Sequence, residues 1–402
     1  MGARRFVTLS VFLVTVSALA RPEYAARSNA VSCTGCHFSP LGSGPRNITG
    51  KNYGMRNFQM WKIPAAQPYT SIDLRPIVQY MSNDAGTVKG AGLMTITGSV
   101  HAPINFTQEG ENRTQMVVSH NFAPGAYGGL REAYALYDFY PGELLGWFKF
   151  LTVGRFVAPY GLMTDEHRTY TRLQTNTGQG QAGSFHTGVA LSGDPFFNMH
   201  YDLAFTNGFN QGGQSRPTDD SSPTAEFANL RLKFPQFPSY VGFSYANTEK
   251  KAIPSSWAAC AYGVIAAPTL RTALLFESSH ARGFNDATNI NSGWLQTYFF
   301  AGQTAWYGEV QRSQSMANTA QINFELLPTF TLLYKYEEYI PDVDFHGYYF
   351  QRHGVGFRYD MDAGTYLNVR YETMSAGKEG VESAGQVLAV GNALYAFMHI
   401  WF

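Results

Sequence analysis

From about Ser71 to Phe402 the chain alternates apolar and polar residues with a period of two, and this pattern constrains the fold more than any other feature. In Ala320–Leu326 (AQINFEL) and Leu367–Glu372 (LNVRYE), every second residue is apolar and the residues between are mostly polar or charged. Successive side chains of a β-strand point to opposite faces, so the alternation predicts strands with one apolar and one polar face. We expect an all-β fold.

Such strands build either a soluble sandwich or a membrane barrel, and the composition favours the barrel. Only 14% of the residues are charged, against roughly 25% in ordinary soluble proteins, and 15% are aromatic. The aromatic residues enrich the apolar face, as in the interfacial girdles of outer-membrane barrels. We predict a transmembrane antiparallel β-barrel with its polar face turned to the lumen.

The spacing of the strands supports the same interpretation. The sequence predicts short turns at Pro235–Pro238, Ala266–Pro268, Leu327–Pro328 and Met361–Gly364, and long loops at Ala158–Gly183, Asn207–Pro223 and His280–Ser292. Short turns at one end and long loops at the other are typical of bacterial outer-membrane barrels. The last stretch, LYAFMHIWF, resembles their assembly signal, an alternating final strand that ends in phenylalanine.

The expected number of strands is 16 or 18, because bacterial barrels close with an even number. Trp294–Arg312 decides between the two, since it fits one long strand or two. No stretch after the N-terminus approaches the ~20 apolar residues of a membrane-spanning helix.

Residues 1–20 have the features of a secretory signal peptide. Arg4 and Arg5 precede an apolar run, and Ala18-Leu19-Ala20 fits a small-x-small cleavage site. We therefore expect export, and a cysteine pair in an exported chain can persist as a disulfide or react further.

Cys33-Thr34-Gly35-Cys36-His37 is the C-x-x-C-H attachment motif of c-type haem. The two thiols reach the two vinyl groups of one porphyrin, and the histidine binds the iron. A zinc site would need four ligands, and no second cysteine pair exists. A plain Cys33–Cys36 disulfide and a thioredoxin-like redox pair are further alternatives; no βαβ pattern supports the latter.

The motif lies in a short segment, residues 21–68, that is rich in glycine and proline. Its part from Arg21 to about Lys62 has some forty residues, which rarely build a core of their own, so the haem needs another shield. We expect this haem c segment to plug the lumen of the barrel, residues 69–402, with Ile63–Pro68 as the boundary.

This architecture resembles the fused monohaem cytochrome–porins, best known as the outer-membrane iron oxidases of iron-oxidising bacteria. A signal peptide, one C-x-x-C-H near the mature N-terminus and an immediate porin-like barrel carry the resemblance. Gly154–Arg172 also resembles a segment common to porin-like proteins and to barrels paired with cytochromes; it fits a constriction loop folded into the lumen.

Several residues are candidates to complete the haem site. Met55 and Met60 follow the motif closely enough to supply the sixth iron ligand, and Arg46 suits a haem propionate. His200 and His399 lie on faces assigned to the lumen and are further ligand candidates. Cys260 is expected to be inert packing on an apolar face.

The charges balance, with 29 basic and 29 acidic residues, which gives no argument for a nucleic-acid partner. The residues predicted to face the lumen carry charges of both signs. This mixture indicates a network of mutually compensating charges rather than a charge-selective channel. The members of this set are Arg155, Arg231, Lys233, Glu325, Lys335, Glu337, Arg370 and Glu372.

The expected function is electron transfer across the bacterial outer membrane through one covalent haem c. The expected partners are outer-membrane lipid, a periplasmic cytochrome c or copper protein, and an external donor or acceptor such as iron, with Fe(II) oxidation as one reaction. The alternative is a passive porin with a structural cysteine pair. The sequence shows no nucleophile–base arrangement that would support a hydrolase.

Overall fold

In the described part of the computed structural model, sixteen antiparallel strands form a closed barrel. The structure describes residues 70–83, 86–104, 114–122, 129–139, 147–162, 169–175, 185–196, 198–207, 224–234, 236, 239–250, 253–282, 314–327, 329–340, 343, 349–362, 365–377 and 391–401.

The strands are β1 Thr70–Asn83, β2 Gly86–Ile104, β3 Thr114–Asn121, β4 Gly129–Asp138, β5 Phe150–Val157, β6 Phe185–Phe196, β7 Met199–Thr206, β8 Thr224–Phe234, β9 Ser239–Lys250, β10 Ile253–Ala267, β11 Thr272–Arg282, β12 Gln314–Leu327, β13 Phe330–Ile340, β14 Phe350–Asp362, β15 Thr365–Ala376 and β16 Gly391–Trp401. One short helix, α1, spans Tyr170–Thr175, and a 3₁₀ turn spans Pro268–Leu270.

Each strand pairs with its neighbours in sequence, and β1 pairs with β16 to close the sheet, with Ile77 opposite Phe397. Closure satisfies the backbone hydrogen bonds that an open sheet edge would leave unpaired in lipid. The even strand number that the sequence predicts is confirmed as sixteen. Trp294–Arg312 lies outside the described residues; β11 and β12, which border it in sequence, pair directly.

The two ends of the barrel differ as predicted. Adjacent strands are joined at one end by short links such as 197–198, 235–238, 268–271, 328–329 and 363–364. At the other end, residues 158–184, 207–223, 283–313 and 377–390 separate the strands, although β1–β2 and β9–β10 are joined there by two residues each, 84–85 and 251–252. Thr70 and Trp401 both lie at the short-turn end, because β1 starts there and β16 ends there. Two predicted loops need correction, since Ala158–Gly183 contains α1 and β11 continues to Arg282, past the predicted loop start at His280.

The barrel is apolar outside, and its interior holds most of the charged side chains together with a buried apolar cluster that includes Phe156, Tyr160 and Val264. In β7, Leu203 and Phe205 are 49% and 58% exposed, whereas His200 and Asp202 are 0% and 1% exposed. The same inversion recurs in β12, where Ile322 and Phe324 face outward and Asn323 is buried. An outward apolar surface of this kind needs lipid, so the fold is that of a membrane barrel.

Aromatic rings gather on the outer surface at the short-turn end. Phe330 and Phe357 stack with ring centroids 5.2 Å apart, and Trp147 meets Phe196 edge-on at 6.0 Å. Such rings suit the interface between hydrocarbon and headgroups.

Among the described residues, no helix is long and apolar enough to cross a bilayer. Residues 1–69, with the predicted signal peptide, haem segment and boundary, lie outside the described part, so those three assignments stay predictions.

The lipid-facing surface gives the first prediction. Leu203 lies near the middle of β7 and points outward, so Leu203→Arg places a cation in hydrocarbon and should destabilise the barrel by about 2–4 kcal/mol. Unfolding in urea from lipid vesicles measures the loss. Leu203→Ile at the same position should leave the free energy of unfolding within about 1 kcal/mol of the wild-type value, and equal losses for the two variants would contradict an outward Leu203.

Candidate functional site

The chain after β5 turns into the lumen instead of staying at the rim. Residues 158–162 and 169–175, here called the inner segment, are packed against the opposite wall, and Tyr160 and Thr171 are 0% exposed. Helix α1 lies against β11, β12 and β13. The interpretation of Gly154–Arg172 as a constriction loop is therefore confirmed for residues 158–162 and 169–172, whereas its first four residues belong to β5.

Glu277 on β11 is the first anchor of the inner segment. Its Oε1 accepts the backbone N–H of Leu162 at 3.3 Å, and its Oε2 accepts the hydroxyl of Thr171 at 2.9 Å. The thiol of Cys260 donates to the same carboxylate at 3.0 Å. One buried carboxylate thus holds both described halves of the inner segment.

Serines of three wall strands extend this attachment. Tyr160 Oη lies 2.8 Å from Ser279 Oγ, and Gly161 N donates to Ser244 Oγ at 2.8 Å. Gly161 has φ +64°, a left-handed conformation that glycine adopts without steric cost, and it lets the chain turn at the wall. Further along, Gln174 Nε2 donates to Ser315 Oγ at 2.9 Å.

Glu337 on β13 is the second anchor. Its Oε1 accepts the backbone N–H of Tyr170 at 3.1 Å and the ammonium of Lys335 at 3.1 Å. Arg352 forms an ion pair with the other oxygen, and its guanidinium lies 4.7 Å from the centre of the Tyr170 ring. Since Lys335 also donates to Thr169 Oγ1 at 3.1 Å, α1 is fixed at its N-terminal end.

The ion pairs continue along the inner wall of β14 and β15. Arg370 Nε donates to Glu372 Oε1 at 2.6 Å, and Arg352 lies 3.9 Å from the other oxygen of Glu372. The Arg370 guanidinium also covers the Tyr395 ring at 4.7 Å. Because positive and negative side chains alternate at these distances, they cancel much of each other's electric field, as expected of a lumen whose charges compensate one another.

Seven of the eight residues predicted to line the lumen do so. Arg231, Lys233, Lys335, Glu337, Arg370 and Glu372 are buried on the inner face, and Glu325 shares the strand face of buried Asn323. Arg155 is the exception. It pairs with Ala133 and Thr187 and shares the strand face of exposed Val153, and its Nε donates to the carbonyl of Arg131 at 3.1 Å. The pairing of β5 with both neighbours runs without a register shift through Gly154, so Arg155 continues the outward face of Leu151 and Val153, and its charge alone suggested an inward position.

His200 belongs to a second buried cluster, towards the short-turn end. Its Nδ1 lies 2.6 Å from Asp194 and its Nε2 lies 3.1 Å from Asp202, while Lys149 pairs with Asp194 at 2.7 Å. Because carboxylates hold both ring nitrogens, His200 fits a structural ion pair rather than an iron ligand. Its predicted place in the lumen is correct, as is that of His399, whose Nδ1 lies 3.0 Å from Tyr366 Oη.

Cys260 lies, as predicted, on an apolar strand face, where Ala258, Tyr262 and Val264 are its buried neighbours. That face points into the lumen, and the thiol is not inert packing, because it donates to Glu277 at 3.0 Å. Alanines on both sides of Cys260 masked its orientation in the sequence.

The predicted haem residues Cys33, Cys36, His37, Arg46, Met55 and Met60 lie outside the described residues. Within the described ranges, no group of three or more His, Cys, Asp or Glu side chains could hold a metal ion. The sequence did not indicate the roles of three residues in these lumen contacts: Glu277, Arg352 and Asp202. Extending the alternation through β11 would have placed Glu277 inside, but nothing in the sequence shows that it holds the inner segment.

The fold resembles several solved outer-membrane proteins. One is OmpF of Salmonella typhi in complex with daunomycin, at 8% identity, TM-score 0.56, with 83% of this chain and 97% of that chain covered. Another is the outer membrane channel DcaP of Acinetobacter baumannii, at 11% identity, TM-score 0.55 and coverage of 85% and 99%. A third is the anion-selective porin of Comamonas acidovorans, at 10% identity, TM-score 0.55 and coverage of 83% and 98%.

No family model matches the sequence, and no curated protein does. At identities near 10%, the similarity to solved structures establishes the porin-like barrel fold and nothing finer.

The anchors give the second prediction. Glu277→Ala removes the acceptor of three hydrogen bonds, from Leu162 N, Thr171 Oγ1 and Cys260 Sγ, each of which contributes about 0.5–1.5 kcal/mol. We expect faster amide hydrogen exchange in residues 158–162 and 169–175, measured by mass spectrometry. Glu277→Gln keeps an acceptor oxygen and should show a smaller increase, and Glu226→Ala, at an exposed position of β8, should show none. Unchanged exchange in Glu277→Ala would refute the anchoring role.

Proposed function

We propose that this protein carries electrons across the bacterial outer membrane through one haem c, attached near its N-terminus and joined to a porin-like barrel. The observation that carries the proposal is the C-x-x-C-H motif at Cys33–His37, which precedes a wall strand that begins at Thr70. The motif is specific for covalent haem attachment, and the barrel provides a passage through an insulating bilayer.

The donor set at the motif fits a c-type haem. Cys33 and Cys36 would form the two thioether bonds, and the imidazole of His37 would bind the iron. Met55 or Met60 would complete the axial pair, and Arg46 would bind a propionate. The group would supply a one-electron redox centre, while the surrounding residues would set its potential through ligand type, hydrogen bonds and burial.

The described lumen fits a barrel that encloses a haem better than it fits a wide pore. Arg352, Arg370 and Glu337 on the inner wall, and Tyr160 on the inner segment, are among the largest side chains that are less than 2% exposed. Inward charges in an open aqueous channel would contact water. A tightly packed belt at this level instead limits solute flow and lowers the dielectric constant around a redox centre, which an electron carrier needs.

The strand topology supports a periplasmic side for the haem segment. Because β1 begins at the short-turn end, the preceding segment joins the barrel there, and in outer-membrane barrels that end faces the periplasm. A periplasmic cytochrome c or copper protein would exchange electrons on that side. An external donor or acceptor such as iron would react at the long-loop end, and Fe(II) oxidation is the reaction that the family resemblance implies.

A passive porin is the second candidate, with Cys33 and Cys36 as a structural pair. The comparisons favour it more directly than they favour the haem protein. The similar structures are described as an outer membrane channel, an anion-selective porin and OmpF, and the inner segment occupies the lumen as a constriction. A porin of this kind would pass only small solutes through the belt of compensated charges.

Expression with a cytochrome c maturation system distinguishes the two. The electron-carrier proposal predicts a mass gain of one haem and covalent haem staining, both lost in the Cys33→Ala, Cys36→Ala variant. Cys260→Ala is the matched control and should keep the haem. An unmodified chain that conducts ions freely across a planar bilayer would contradict the proposal and support the porin.

The axial ligand gives a further prediction. If Met55 or Met60 binds the iron, its replacement by alanine should lower the midpoint potential, because methionine ligation raises it. A redox titration of the loaded protein measures the change. Met116→Ala, at an outward-facing position of β3, should leave the potential unchanged. A potential that neither Met55→Ala nor Met60→Ala lowers would exclude both ligands.

A further inference from the structure

A continuous chain of hydrogen bonds runs along the inner wall of β7 to β9, from the short-turn end of the lumen to the inner segment. His200 and Asp202 lie near the start of β7, Asn229 lies in the middle of β8, and Ser244 lies in the middle of β9. Gly161 of the inner segment is the last member. We call this chain the His200 relay.

The relay begins at a histidine that lies between two carboxylates. His200 is 0% exposed, with Nδ1 2.6 Å from Asp194 Oδ1 and Nε2 3.1 Å from Asp202 Oδ1. A neutral imidazole has one N–H, so only the doubly protonated ring can donate to both carboxylates. The geometry therefore assigns a hydrogen to each ring nitrogen.

The charge on Asp202 sets the direction of the bonds that follow. An ionised carboxylate only accepts hydrogen bonds, so Asn229 turns its amide nitrogen to Asp202 Oδ2, at 2.9 Å. The amide oxygen then accepts the hydroxyls of Ser244 at 2.8 Å and Tyr262 at 2.6 Å. Because the hydrogen of Ser244 is used on Asn229, the Ser244 oxygen accepts Gly161 N, at 2.8 Å. Each bond of the relay thus has one direction.

The charged groups around His200 connect it to water at the short-turn end. Asp194 pairs with Lys149 at 2.7 Å, and their side chains are 19% and 40% exposed. On β8, Arg231 lies directly opposite His200, and Lys233 follows two residues further along the same face. These cations oppose a positive charge on the ring, whereas the two carboxylates favour it. Asp194 gives protons a route between His200 and the solution on that side.

We propose that the His200 relay is a proton-dependent latch on the constriction. When His200 loses a proton, one ring nitrogen meets a carboxylate oxygen with no hydrogen between them, and the longer contact, to Asp202, breaks first. Asp202 then no longer fixes the amide of Asn229, and the acceptor of Gly161 N loses its fixed orientation. The inner segment loosens at this point.

The loosening is local, because the other described half of the inner segment has its own anchors. Residues 169–175 are held by Glu277, Glu337 and Ser315, none of which belongs to the relay. The pH on the short-turn side, which faces the periplasm in outer-membrane barrels, therefore acts on residues 158–162. The inference concerns the constriction alone, so it holds for either candidate function.

Hydrogen exchange at a series of pH values tests the latch in the purified full-length protein in phosphatidylcholine vesicles. Mass spectrometry follows residues 158–162 and 169–175 from about pH 6 to about pH 9, with rates corrected for the intrinsic pH dependence of exchange. We expect protection of residues 158–162 to fall about fivefold across this range, as for one weakened hydrogen bond. Protection of residues 169–175 should change by less than about twofold, well below the effect of one lost hydrogen bond.

Four variants connect this response to the relay. His200→Gln keeps a hydrogen-bond donor that does not titrate, so its protection should no longer depend on pH. Ser244→Ala cuts the relay beside Gly161 and should lower protection at every pH. Two controls should respond as the wild-type protein does: His120→Gln, at an exposed position of β3, and Cys260→Ser, which removes a thiol that titrates in the same range.

Three results would overturn the proposal: wild-type protection that does not change with pH, equal changes in the two halves of the inner segment, or a wild-type response in Ser244→Ala or in a folded His200→Gln variant. Heat-modifiable migration on gels verifies that each variant is folded. Ser244→Ala removes only a hydroxyl group, so it tests the relay even where His200→Gln does not fold.

Discussion

The bilayer's inability to satisfy backbone hydrogen bonds determines the rest of this structure. Sixteen strands can cross hydrocarbon only as a closed sheet, and the pairing of β1 with β16 removes the last unpaired edge. Closure then fixes the side-chain pattern. Because alternate residues face lipid and lumen, the polar half of most strands is forced inward, where Arg370, Glu337 and their neighbours must find partners among themselves.

The lumen meets that requirement by combining charge pairing with attachment of the inner segment. Glu277 and Glu337 each accept a backbone N–H from the inner segment and a side-chain donor from the wall. A buried carboxylate alone would be costly, but one that accepts several hydrogen bonds is stabilised and also fixes the loop. The constriction and the compensated electrostatics therefore have the same cause, which is the need to pair polar groups inside a closed wall.

The sequence predicted the barrel, its polarity and most of the lumen, because a period of two is a local signal and lipid leaves few alternative folds. It misplaced Arg155, which continues the outward face of Leu151 and Val153, and it did not predict that the thiol of Cys260 donates to Glu277. It did not reveal the anchors, since the pairing of Glu277 with Thr171 depends on how a loop folds across the lumen. The motif at Cys33–His37 predicts covalent attachment of a haem, but it does not predict where that haem lies relative to the barrel.

The proposed electron carrier would combine an insulating wall, a packed lumen and the N-terminal C-x-x-C-H motif so that electrons pass and solutes do not. The most direct test uses vesicles that contain the haem-loaded protein and enclose a soluble cytochrome c, with a polymer-bound reductant outside that is too large to enter the barrel. The account predicts reduction of the enclosed cytochrome by the wild-type protein and none by the Cys33→Ala, Cys36→Ala variant. Equal rates for the two proteins, or no reduction by either, would contradict it.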